Sequence, residues 1–417
     1  MTNLNNDEIL YWAWLTIAFG PANERKWAVS ARFDSVTDFY DAVQNGFSEG
    51  MTADEVKHLR SASLKQAQGL LNKCAEHGIN VCGYSDENYP KSLKEIYDPP
   101  SLLFSYGDIG FLNESATIGV VGARKITDYS HNVTDSLCRN LAQSGIVIVS
   151  GFAMGVDSAA HNAAIEAGGK TVAVLGSGLE YDYPRGSAEL KKLISEHGAV
   201  ISEYYPTSAG NHLSFKARNR ILSGLSKGVL VVQASKTSGS LNTASYAVQQ
   251  GKDLYVVPPH DIFSPEYAGA AQLIRDGAIS VFSHCDILYE YYSDYPHKIS
   301  FTKDPDAFVD RSGTSMFFAA DIPIEKKSEP AKRAHSNDGA KKDTVAENKA
   351  EKAKQIDMSA LNEIQKKIIG ELRKAPAAAD ELADKLDIDV SELFTELTAL
   401  EIEGHVNSLA GSRYELA

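Results

Sequence analysis

Cysteine is scarce in this chain. Its 417 residues include four, Cys74, Cys82, Cys138 and Cys285, and no two form a C-x-x-C pair. That excludes a disulfide framework and a cysteine-based zinc site. Long apolar runs are missing too: none reaches the roughly 18 residues that a membrane-crossing helix requires. The polar stretch Met1 to Glu8 lacks the basic-then-apolar order of a secretory signal, so a cytoplasmic chain is expected. The most informative absence is of one charge sign. Between Tyr204 and Lys252, 49 residues contain no Asp or Glu but six bases: Lys216, Arg218, Arg220, Lys227, Lys236 and Lys252.

That gap lies in an acidic protein. The net charge is −14, distributed as −7 over residues 1–114, −1 over 115–300, zero over 301–357 and −6 over 358–417. An average so negative argues against nucleic acid, but a local cationic surface attracts phosphates whatever the average. A buried segment would also exclude acids, yet six unpaired bases are costly to bury.

The residue pattern divides the chain into four parts. Residues 1–82 read as short helices, with apolar faces at Ile9–Leu15 and Phe39–Val43 and a capped start at Thr52 and Glu55. Residues 83–300 read as an α/β domain. After irregular chain around Asn88-Tyr89-Pro90 and Asp98-Pro99-Pro100, short β-branched runs alternate with helical segments: Ile118–Val121, Ile146–Val149, Thr171–Leu175, Ala199–Ile201, Gly228–Val232 and Asp253–Val257. Runs without polar alternation belong to strands covered on both faces, hence to a parallel sheet between helical layers. Residues 301–357 lose the pattern and read as a solvated linker. Residues 358–417 regain it as three helices and a hairpin, a winged helix. Glu392, Glu396, Glu401 and Glu403 on or after its third helix repel phosphate, so a structural or protein-binding role is expected there.

Small residues cluster where the strands end: Gly122-Ala123-Arg124, Ser150-Gly151-Phe152-Ala153-Met154-Gly155, Gly176-Ser177-Gly178 and Ser238-Gly239-Ser240. Such loops let backbone amides approach an anion at helix N-termini. The dinucleotide fingerprint fails, because Val121-Gly122-Ala123-Arg124 has one glycine. The P-loop fails because Ala164 stands where Gly169-Lys170-Thr171 requires a glycine. No cofactor and no metal are expected.

Phe215-Lys216-Ala217-Arg218-Asn219-Arg220 concentrates donors for phosphate oxygens. On a regular helix Arg218 lies about 200° from Lys216 and Arg220. Either the helix starts near Arg218 or one arginine is structural, paired with a distant carboxylate. Asp157 and His161 could form an acid–base pair. The plainer reading is a helix-start Asp and a loop-holding His, since no nucleophile accompanies them. Tyr181, Tyr183 and Phe215 are candidates to stack on bases, or else core residues.

Taken in order, these segments resemble the DNA-processing protein A family (DprA, also called Smf). The resemblance rests on Val121–Arg124, Val149–Asp157 with Ala160-His161, Val174–Gly178 with Tyr183-Pro184, Ile201–Tyr204, Arg218–Ile221 with Gly224–Ser226, Ser238–Ser240 with Thr243-Ala244, and Leu273–Ala278, covering about residues 85–290. It implies an extended Rossmann-like domain that binds single-stranded DNA and homodimerises. It also implies an N-terminal SAM-like or helix-hairpin-helix-like domain, and an appended winged helix. Family members protect incoming DNA in natural transformation and help load the RecA recombinase, and they are not known as enzymes. The expected phosphate-binding residues are Gly122, Arg124, Ser150, Gly151, Ala153, Gly155, Ser177, Gly178, Lys216, Arg218, Asn219, Arg220, Ser238, Gly239 and Ser240. The chain departs from the family at Lys216 (usually proline), Gln233 (often Glu) and Pro259 (often glycine). The alternative is a nucleotide phosphoribohydrolase of the LOG type, which needs a glutamate after the Ser238–Thr243 loop that this sequence lacks.

Overall fold

The computed structural model describes residues 5–300 and most of 362–416. The chain divides into two compact units with the boundary at residue 321.

The first unit opens with five helices: α1 (Asn5–Phe19), α2 (Arg25–Ser30), α3 (Val36–Gln44), α4 (Ala53–Ser61) and α5 (Leu64–Glu76). Their starts are set locally. Ser35 caps α3, and α4 and α5 open with the reciprocal boxes Thr52/Glu55 and Ser63/Gln66, which satisfy otherwise orphaned amides. An antiparallel pair follows, β1 (Asn80–Gly83) and β2 (Leu102–Tyr106), with the short α6 (Lys91–Lys94) between them. The residue pattern carries no signal for this pair: each strand is short and turn residues separate them.

Strands and helices then alternate as expected. They are β3 (Thr117–Val121), α7 (Asp128–Gln143), β4 (Val147–Ser150), α8 (Val156–Glu166), β5 (Thr171–Leu175), α9 (Ala188–His197), β6 (Gly198–Ser202), α10 (His212–Leu225), β7 (Gly228–Val231), α11 (Ser240–Gln249), β8 (Asp253–Val256), α12 (Ala268–Arg275), β9 (Ile279–Ser280) and α13 (His284–Tyr292). The nine strands lie in the order β1-β2-β6-β5-β4-β3-β7-β8-β9. From β6 to β9 all neighbours are parallel, while β2 pairs antiparallel with β6. Strands β3 to β6 step one way across the sheet and β7 to β9 the other. The reversal lies between β3 and β7, and a crevice opens beyond the carboxyl ends of strands at such a point.

The N-terminal helices share a hydrophobic core with the sheet. Trp14, Phe39 and Leu59 belong to one buried cluster with Leu102, Phe104, Leu175 and Val200. A charged cluster is buried in the same junction. Glu203, just past β6, accepts from Arg220 Nη2 on α10 at 2.9 Å and from the Ala22 amide at 2.9 Å, and Lys26 Nζ of α2 stands 3.5 Å from it. Arg220 Nε also reaches Asp98 at 3.2 Å. Burial pulls the Lys26 ammonium down, with Glu203 and Asp98 opposing.

The second unit holds α14 (Glu363–Leu372), β10 (Ala377–Ala378), α15 (Ala379–Leu386), β11 (Val406–Leu409) and β12 (Arg413–Leu416), with a small sheet in the order β10-β12-β11. Ile368, Leu372, Leu382, Leu393, Leu397 and Val406 form its core. The first two helices and the hairpin are as expected, and most of the expected third helix, 390–400, lies outside the described residues. The expected linker over 301–357 lies outside the described residues, as do Glu392, Glu401 and Glu403.

Two cations and two anions balance in the buried cluster of Lys26, Arg220, Glu203 and Asp98. Lys26→Met should therefore cost about 3–5 kcal/mol by leaving an unmatched carboxylate. The double variant Lys26→Met/Glu203→Gln removes one charge of each sign and should recover most of that loss. Denaturant midpoints check both, and equal midpoints for wild type and Lys26→Met would show that the lysine balances nothing.

Candidate nucleic-acid interface

A groove of about 720 Å³ lies at the β3/β7 reversal. Its walls are the loop after β3 (Gly122 to Arg124), the loop after β4 (Gly151, Ala153), the first turns of α10 (His212 to Asn219), and Ser235 to Thr243 leading into α11. Four cations line it, Arg124, Lys216, Arg218 and Lys236. Asp157 is the sole carboxylate among the described lining residues. A narrow recess continues inward between Arg124, Ser177, Tyr183, Phe215 and Arg218. There the Tyr183 and Phe215 rings pack with centroids 5.0 Å apart.

Arg218 forms the floor. Its Nη1 donates to the Gly151 carbonyl at 2.6 Å and to the Val174 carbonyl, and its Nε to Asn219 Oδ1 at 3.1 Å. Asn219 in turn donates to Asn242 Oδ1 at 3.2 Å, joining α10 to α11. Burial lowers the guanidinium to about 10, with Asp157 opposing, so Arg218 stays charged at neutral pH. Burial raises the Asp157 carboxyl to about 6, against Arg218 and the Ala153 amide that donates to it at 3.2 Å. Gly151 separates the two charged groups: a Cβ there would stand 2.7 Å from Arg218 Nη2 and 2.7 Å from Asp157 Oδ2. The loop is bent to achieve this. Phe152 holds φ 60°, a left-handed conformation costly for an aromatic residue. Gly155 holds φ 86°, with the Ala123 carbonyl only 2.3 Å from where a Cβ would lie.

The family comparisons agree with this architecture. The model of the DNA recombination-mediator protein A family matches residues 80–292, and that of the DprA winged helix domain matches residues 352–412. DNA processing protein DprA of Bacillus subtilis is 41% identical over 215 residues, spanning 52% of this chain and 72% of that protein. DprA of Streptococcus pneumoniae is 40% identical over 206 residues, 49% of this chain and 72% of its own length. A solved structure of the Streptococcus pneumoniae DprA aligns with TM-score 0.59 and 31% identity, covering 67% of this chain and 97% of that one. The chain belongs to the DprA/Smf family.

In this family member the groove collects ten of the expected residues: Gly122, Arg124, Gly151, Ala153, Lys216, Arg218, Asn219, Ser238, Gly239 and Ser240. Five do not line it. Ser150 is buried and ties β4 to β3 through a bond from its Oγ to the Val120 carbonyl at 2.6 Å. Gly155 serves the turn, and Ser177 faces the inner recess. The Gly178 amide is committed to the Ser208 carbonyl at 2.8 Å, so it cannot hold a phosphate. Arg220 is the main correction. Because α10 is regular from His212, Arg218 and Arg220 leave it on opposite sides, and Arg220 is buried against Glu203 and Asp98. The Ala153 amide lines the groove but is taken by Asp157, so it is not free to cradle an anion either.

Lys236 and His212 line the groove and were not among the expected site residues. The signal for Lys236 was its place in the acid-free stretch just before Ser238-Gly239. Asp157 and His161 form no acid–base pair. Thr171 Oγ1 donates to the Ile148 carbonyl at 2.8 Å and so accepts from His161 Nδ1 at 2.7 Å. Burial pushes that imidazole down to about 3, which keeps it neutral. Among the described residues no cluster of three or more His, Cys, Asp or Glu could hold a metal.

Above pH 6 the Asp157 carboxylate opposes any polyanion in the groove, and below it that opposition is gone. Affinity for a polyanion should therefore rise as pH falls through about 6. Asp157→Asn keeps an acceptor for the Ala153 amide and should flatten that rise. Identical pH profiles for the two proteins in an anisotropy titration would exclude Asp157 as its source.

Proposed function

We propose that the groove binds single-stranded DNA through its backbone, independent of sequence, and that the chain is a recombination mediator rather than an enzyme. The observation that carries this reading is the convergence of Arg124, Lys216, Arg218 and Lys236 on one groove in a chain of net charge −14. Phosphates meet the exposed cations, and the buried Arg218 supplies a fixed positive floor that needs no reorganisation. An unpaired strand suits the groove, because its bases can turn toward the half-buried Phe215 ring in the groove wall, which a duplex does not permit.

What weighs against a phosphoribohydrolase is the absence of a free carboxylate among the groove's described residues: Asp157 faces Arg218 and accepts the Ala153 amide. On the family reading, the chain acts in the cytoplasm as a homodimer. Two grooves on one strand raise avidity by linkage. It protects incoming DNA in natural transformation and passes the strand to a RecA-type recombinase. We take residues 1–82, 83–300, 301–357 and 358–417 as helical, DNA-binding, linking and winged-helix parts. The acidic winged helix serves protein contacts.

A salt series with labelled oligothymidylate tests the groove. Log affinity should fall against log salt by about 0.7 for each phosphate neutralised. Arg124→Ala and Lys236→Ala should each flatten the slope by about that amount. Arg220→Lys should leave the slope unchanged, since that guanidinium is spent on Glu203 and Asp98. Equal affinity for a matched duplex, or slopes unmoved by Arg124→Ala and Lys236→Ala, would overturn the reading.

A further inference from the structure

The loop that follows β8 is tied to the segments that carry the groove's cations. This loop is fixed on two sides. On one side, the hydroxyl of the buried Tyr267 meets Thr127 Oγ1 at 2.5 Å and Ser130 Oγ at 2.7 Å, in the segment that follows Arg124. The His260 ring packs against both Tyr129 and Tyr267, with centroids 4.9 and 5.0 Å away, and those two rings meet each other at 6.2 Å. On the other side, the Gly269 and Ala270 amides at the start of α12 donate to the Ala234 carbonyl at 2.9 and 3.1 Å. Ala234 immediately precedes Ser235 and Lys236 of the groove wall. The loop therefore abuts both cationic segments.

Its tip carries two adjacent large apolar side chains, Ile262 at 72% exposure and Phe263 at 87%. The tip is not slack: the Phe263 amide donates to Asp261 Oδ1 at 2.9 Å, and the Ser264 amide to the Asp261 carbonyl at 3.3 Å. Single exposed apolar residues need no explanation, but a braced adjacent pair on a loop tied to both cationic segments marks a recognition surface. The charged neighbours on the loop are the acids Asp261 and Glu266, both exposed. They repel phosphate, so the tip can favour only the uncharged face of a nucleic acid.

We propose that Ile262 and Phe263 form a stacking lip for the unpaired bases of a strand leaving the groove past Lys236. The phosphates stay on the lysine side and the bases turn onto the Phe263 ring, lengthening the site by about one or two nucleotides. This inference rests on the single-stranded DNA reading of the groove.

The test uses the full chain and an oligothymidylate ladder from about 4 to about 16 nucleotides. Phe263→Ala should weaken the long oligomers about ten-fold, the effect of one lost base stack, and leave the shortest unchanged. Its salt slope should match the wild type, because stacking releases no counterions. Phe263→Trp should retain wild-type affinity. Unchanged affinity of Phe263→Ala at every length would overturn the lip while leaving the groove intact. A changed sedimentation mass with unchanged DNA affinity would assign the tip to a protein contact and overturn it as well. No binding of any oligomer by the wild-type chain would bring down the groove reading first and the lip with it.

Discussion

The groove depends on one buried guanidinium. Arg218 is held by two strand-end carbonyls, those of Gly151 and Val174, and faces the Asp157 carboxyl. A charge so placed is tolerated because two carbonyls and the Asn219 amide oxygen accept from it and the Asp157 carboxylate opposes its loss of charge. The surrounding features follow from that requirement. Gly151 must lack a side chain, the loop must turn at Phe152, and Asp157 must be held by the Ala153 amide. The exposed cations Arg124, Lys216 and Lys236 can then stand at the rim without carrying structure.

The same helix meets the opposite demand about half a turn away. Arg220 faces the N-terminal layer, where Glu203, Asp98 and Lys26 complete a buried cluster. Two arginines separated by one residue thus serve two sites: one opens to a ligand, and the other fixes α10 to the helices that precede the sheet. Hydrophobic packing adds to that attachment, since the N-terminal tryptophans and the sheet share one core.

Much of this was legible in the residues. The six parallel strands announced themselves as β-branched runs, the α4 start as Thr52 with Glu55, and the wing as a closing hairpin. Strand-end glycines lie at the edge of the sheet where the groove opens, and the acid-free stretch supplies two of its four walls. What stayed hidden depended on tertiary contact. Strands β1 and β2 are short and take their order from pairing with each other and with β6. Periodicity left two readings, a helix starting near Arg218 or one structural arginine, and only the helix start at His212 and the position of Glu203 decide between them. The amides of Ala153 and Gly178 belong to small-residue loops that look open in sequence, yet their donors are used within the protein.

The two non-glycine residues with left-handed backbone among those described, Ala22 and Phe152, stand at opposite ends of this arrangement. Ala22 delivers its amide to Glu203, the partner of Arg220, and Phe152 follows the glycine whose carbonyl takes Arg218. The main chain is thus contorted at the two places where a charge from α10 is received. Neither the 20–24 turn nor the 151–155 loop can gain or lose a residue without shifting an acceptor off its arginine. These two surface connections, unlike ordinary loops, should therefore be intolerant of length change among relatives that keep both arginines.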